Sequence, residues 1–180
     1  CNHDSNTPTK SAFCQQRQKL LPEAMKSLFF SFTRKTMSLD APTTTKEGYL
    51  ILACDGSDIN IPYNPDDVET FHQNANKRGY NQLHLNALYD VYNAVYTDVI
   101  LEPDRKCHER DAFVKMVDRY NLTYPAIFLA ARGYEGYNVF AHLLSSGQKF
   151  VVRLKDPNSN GILSNYAVDK LRDKHGEVDC

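Results

Sequence analysis

Residues 126–140 read AIFLAARGYEGYNVF. The first five, Ala126 to Ala130, are short and wholly apolar, and Arg132-Gly133-Tyr134 follows at once, the pattern of a buried strand that runs out into a turn. Beyond the turn, GYNVFAHLLSSG reads as a helix stopped by Gly147. In parallel α/β sheets the chemistry gathers at the carboxyl ends of such strands. Ala131 stands at that end, and a methyl group can do no chemistry there.

Working outward, the rest of the chain alternates element types. GYLILACDGS (48–57) predicts a strand ending in a turn at Asp55-Gly56, with DINIPYN (58–64) as a short hairpin partner. YNQLHLNALYDVYNAVYTDVILEP (80–103) is long and rich in Val, Tyr and Leu, which predicts two more strands joined near Val91 to Asn93. Ala112, Phe113, Met116, Val117 and Tyr120 fall at helical spacing, and KFVVRLK (149–155) closes the series as a strand. The order β-β-β-α-β-α-β is that of the ribonuclease H-like fold, an α/β architecture with a mixed five-stranded sheet and flanking helices. In that order Asp55 lies on the first strand and residue 131 ends the fourth, its neighbour in the sheet.

Before this unit the chain reads in simpler pieces. Residues 1–10 are polar and aperiodic and predict a flexible tail. Residues 11–37 carry apolar residues at helical spacings, with Pro22 suited to the first turn of a second helix, so a short helical region is expected. Residues 38–48, SLDAPTTTKEG, read as a linker. Between Lys10 and Lys35 six basic residues face one acid, Glu23, a local charge of +5 within a chain whose net charge is −1. That near-neutral total does not by itself call for a nucleic-acid partner.

The 180 residues, 42% hydrophobic and 24% charged, suffice for one good core. No apolar run approaches the roughly 20 residues of a membrane span, and no signal-peptide pattern opens the sequence, so an intracellular protein is expected. Cys1, Cys14, Cys54, Cys107 and Cys180 are odd in number, scattered and without a C-x-x-C pair, which predicts reduced thiols. Asp58, Asp66 and Asp67 read as solvated loop or helix-cap acids, and His72, His84 and His108 have no ligand spacing to one another.

Four ordered blocks then carry a resemblance: PTKSAFCQQRQKLLPEAM (8–25), LACDGSDINIPYNPDD (52–67), KRGYNQLHLNALYDVYN (77–93) and ARGYEGYNVFAHLLSSGQKFVVRLKD (131–156). Together they resemble bacterial insertion-sequence transposases of the DDE class, which move DNA by cut-and-paste. The resemblance implies a catalytic core over residues 49–156, with 157–180 as the start of a β-rich insertion that is cut short. It implies Asp55 as the first catalytic carboxylate and ligand of Mg²⁺ or Mn²⁺, hard ions that take oxygen ligands. Paired ions clamp the attacking and leaving oxygens of a phosphodiester, and for that they need several carboxylates.

The second carboxylate normally opens a D-R-G-Y motif, whose place is taken here by Ala131. The third, a glutamate, follows the insertion. The resemblance therefore implies a transposase fragment that is inactive as this chain, or else a non-catalytic DNA- or partner-binding module. Glu135 lies beyond the strand end, too far on to replace the missing aspartate. DNA is the implied partner, transposon ends and target alike, with a homodimer in synapsis and a bacterial, cytoplasmic, nucleoid-associated setting. Arg132, Tyr134, Arg153 and Lys155, at or just past strand ends, are the candidate DNA contacts, with packing of the turn the favoured reading of Tyr134 and a solvated charge the equal alternative for the three cations.

Overall fold

The computed structural model describes residues 8–17, 19–37, 44–75 and 77–165. Expectations for residues 1–7, for the linker at 38–43 and for the stretch from 166 to 180 lie outside the described residues.

One mixed sheet organises the molecule. Its strands are β1 (Leu50–Ile61), β2 (Phe71–Asn74), β3 (Lys77–Asp90), β4 (Val95–Pro103), β5 (Ala126–Ala130) and β6 (Lys149–Val152). β1 pairs antiparallel with β3 on one side and parallel with β5 on the other, and β6 extends the sheet parallel to β5. On its far edge β3 holds β2 at its beginning and β4 along the rest. Without the four-residue β2, the remaining five strands follow the ribonuclease H-like order.

The parallel half exists because two helices supply the crossovers, α3 (Glu109–Asp118) into β5 and α4 (Tyr137–Ser145) into β6. α4 ends where Gly147 takes φ +68, a left-handed conformation that glycine adopts without penalty. The turn between β3 and β4 falls where the sequence puts it. Buried Asp90 accepts hydrogen bonds from the backbone N–H groups of Tyr92 and Asn93, both at 3.0 Å.

Side chains alternate across β1. Leu50, Leu52 and Cys54 are buried on one face with Leu88, Phe128, Phe113, Met116, Val139 and Leu143, which makes this the core and puts α3 and α4 over it. Phe113 is the hub: its ring meets Phe128 and Tyr134 edge-on, at 6.3 and 5.4 Å between centroids. α1 (Lys10–Arg17) and α2 (Pro22–Thr36) form where expected, with Pro22 in the first turn. Their apolar stripe stays largely exposed among the described residues. α2 touches the sheet through the Thr33 hydroxyl, which donates to the Tyr96 carbonyl at 3.2 Å, and Phe30 lies 5.8 Å from the Arg119 guanidinium.

The sequence reading needs one correction here. The chain does not turn at Asp55-Gly56. β1 runs straight through to Ile61, and its hairpin partner is β3 rather than residues 58–64, with ten registered pairs from Leu52↔Asp90 to Ile61↔Asn81. Ten cross-strand pairs outweigh the local preference of an Asp-Gly step. Gly56 serves a different purpose: a Cβ there would stand 2.5 Å from the His84 Nε2, so the strand passes beneath that imidazole only because the side chain is absent.

Candidate active site

The parallel register between β1 and β5 ends on Cys54↔Ala130. One residue on, Asp55 and Ala131 stand side by side, since Ala131 keeps an extended backbone (φ −78, ψ 177). β5 and β6 close on Ala130↔Val152, and the Arg153 N–H donates to the Ala130 carbonyl at 3.0 Å. Asp55, Ala131 and Arg153 therefore form a row across three neighbouring strands, about 4.8 Å from one to the next. By alternation the row faces away from α3 and α4, and all three residues are exposed.

The row contains one carboxylate. Among the described residues Asp55 bonds only its neighbour's backbone N–H, at Gly56 (3.0 Å). The adjoining surface is a shallow groove lined by Ala53, Ser57, Ala87, Tyr89 and Tyr96. A pair of metal ions needs several oxygen ligands, and among the described residues no group of three or more possible ligands includes Asp55. The residues present do not fit a two-ion centre.

The other candidates divide. Arg132 and Arg153 are exposed. Tyr134 is not a surface residue: it is 2% exposed, packed on Phe113 and beside Cys54 in the core, which agrees with the packing reading and removes the DNA-contact one. The Lys155 side chain is half-buried, and its backbone N–H donates to Glu135.

Two features of this region are absent from the sequence reading. Glu135 is 3% exposed, and its carboxylate accepts the backbone N–H groups of Lys155 (2.5 Å) and Ile162. Burial alone would raise its pKa; the N–H donors at Ile162 and Lys155 and the cations of Lys155 and Arg110 outweigh burial and hold it below the ordinary carboxyl range. Glu135 thus pins the chain that follows β6 onto the turn that follows β5.

On the α3 face lies a second polar group: Asp58, read from sequence as a solvated acid, and His84, read as having no ligand spacing, meet at 2.7 Å with Asp104 beside them. The pairing Asp58↔His84 is set by the β1–β3 register across 26 residues, so spacing carries no sign of it. The nearest available signal is polar residues at alternate positions of β3, His84 and Asn86, where the core face should be apolar.

Residues 46–177 match the family model of the transposase DDE domain. The chain belongs to that family. No curated protein matches it. A piggyBac transposase in a synaptic complex with hairpin DNA, solved by cryo-EM, is similar to it at a TM-score of 0.45 and 12% identity over 89% of this chain, which spans 34% of that one. Within this DDE domain, the strand bearing Asp55 and the strand ending at Ala130 adjoin in the sheet. Among the described residues no helix is long and apolar enough to cross a membrane.

Proposed function

We propose that this chain is part of a DNA transposase whose family chemistry is metal-dependent strand cleavage and strand transfer, and that residues 1–180 bind DNA without cutting it. The observation that supports the reading is the row Asp55, Ala131, Arg153, a single carboxylate beside an alanine with a cation further along; on this reading Asp55 is the family's first carboxylate and Ala131 stands where its partner belongs. Asp55 alone holds Mg²⁺ or Mn²⁺ weakly, leaving neither nucleophile nor leaving group stabilised. DNA lies along the face of the row, its phosphates against Arg153 and Arg132. The α1–α2 segment adds its +5 to the same polyanion. The wider setting of this reading is a bacterial insertion sequence, its ends and target held by a homodimer in the nucleoid.

The experiment is a titration of labelled duplex between about 50 and 200 mM salt, where contacts to phosphates alone give steeply falling affinity. Arg153→Ala lowers affinity for every sequence alike and flattens the salt dependence by about one unit of slope. Supercoiled plasmid stays intact with Mg²⁺ or Mn²⁺. A tight, salt-insensitive complex refutes the binding mode. Nicking that survives purification and vanishes in Asp55→Ala refutes the inactivity.

A further inference from the structure

We propose that Asp58, His84 and Asp104 hold one divalent ion of the zinc class, in a site separate from Asp55 on the opposite face of the sheet. The ligand atoms come from three elements: β1, β3 and the short turn Asp104–Lys106 that follows β4. His84 Nδ1 lies 2.7 Å from Asp58 Oδ1 and 4.0 Å from Asp104 Oδ1, and the three ligand atoms all lie within 4.8 Å of one another. Ligands about 2.0–2.2 Å from one tetrahedral ion are separated by ~3.4 Å, the middle of that range. Both carboxylates are partly exposed and free to close on an ion, and solvent can fill a remaining position.

The imidazole is turned so that Nδ1 faces the two carboxylates of Asp58 and Asp104. The His84 side chain is 9% exposed, and its second nitrogen, Nε2, is buried with no hydrogen-bond partner. Glu109 Oε1 stands 3.5 Å from it. A metal-bound imidazole characteristically gives its other N–H to a carboxylate, which fixes the tautomer that leaves Nδ1 free for the ion. Glu109 is in place for that role. His72 Nε2 lies 3.0 Å from Asp104 Oδ2, a close contact that steadies that carboxylate from behind. An imidazole nitrogen with two carboxylate oxygens favours Zn²⁺ or Co²⁺ over Mg²⁺ and Ca²⁺, which prefer all-oxygen sets.

The test uses the whole chain stripped by chelator, titrated with Zn²⁺ by calorimetry and with Co²⁺ by visible absorption. One ion per chain is expected, with a Co²⁺ spectrum free of thiolate charge-transfer bands. Because His84 is buried and its removal endangers folding, the variants are Asp58→Asn and Asp104→Asn, each expected to weaken Zn²⁺ binding at least about tenfold while circular dichroism is unchanged. Asp55→Asn retains the affinity, so failure of this site and failure of the functional reading are separable. The proposal is overturned by no stoichiometric binding, by binding unchanged in the Asp58→Asn, Asp104→Asn double variant, or by binding lost in Asp55→Asn.

Discussion

Replacing Ala131 by aspartate tests the site most directly, because the structure fixes the sign of the effect in two conditions. The new carboxylate would stand about 5 Å from Asp55, on a neighbouring strand and the same face. Two like charges at that distance repel by about 0.8 kcal/mol in a water-like medium and about 3 kcal/mol at an effective dielectric of 20. Both positions are exposed and Arg153 is adjacent, so the lower figure applies, roughly 1 kcal/mol. Without metal, the melting temperature of Ala131→Asp should therefore fall by roughly 2–4 °C. With Mn²⁺ at a hundred times its dissociation constant, binding contributes about 2.7 kcal/mol, turning the loss into a net gain of about 1.7 kcal/mol. The melting temperature should then rise above the parent's by roughly 3–7 °C. Scanning calorimetry in an Asp104→Asn background, with and without Mn²⁺, keeps the opposite face out of the measurement. An equal drop in both conditions would mean that residues 55 and 131 do not share an ion, and the site as drawn would be wrong.

Two further substitutions and reactivities follow from buried groups. Glu135→Ala leaves the backbone N–H groups of Lys155 and Ile162 without their acceptor and should cost roughly 3 kcal/mol by urea denaturation; a loss under about 0.5 kcal/mol would contradict the clamp. Since the folded Glu135 carboxyl sits below its ordinary value of 4.5, its contribution is present above that pH and disappears as pH falls through the lower folded value. The stability gap between the parent and Glu135→Gln should accordingly narrow only below about pH 4.5. Burial pushes the Cys54 thiol up to about 12, more than the Tyr134 hydroxyl beside it offsets, so iodoacetamide at pH 8 should alkylate exposed Cys14 and spare Cys54 until the protein unfolds. Mass spectrometry that finds Cys54 labelled as fast as Cys14 would contradict its burial.

Periodicity made the parallel half of the fold legible. AIFLA, the α4 helix with its Gly147 stop and KFVVRLK each obey a local rule, and the strand order then places Asp55 beside residue 131. The reading erred where tertiary pairing overrode a local signal. Asp55-Gly56 has turn chemistry, yet it lies inside a strand paired continuously with β3, and Gly56 answers to the His84 ring above it. The Asp58–His84–Asp104 group could not be read because register, not spacing, assembles it. Glu135 was equally hidden: its partners are backbone N–H groups, and every residue but proline carries one. Tyr134, an aromatic in a turn, is drawn into the core by Phe113, which lies 21 positions earlier in the chain.

The Glu135 clamp also bears on which positions can drift in sequence. Its two anchor points at 155 and 162 are main-chain atoms, so substitutions at Lys155 or Ile162 leave the donors in place unless proline is introduced. Between them, Gly161 is the constrained position: a Cβ there would stand 2.7 Å from the Glu135 Oε1 and 2.8 Å from the Lys155 Cβ. Among the described residues, Asp156 to Asn160 make no hydrogen bond to the carboxylate. The segment can vary in chemistry while the direction in which the chain leaves the sheet stays the same, fixed by one glutamate and one glycine.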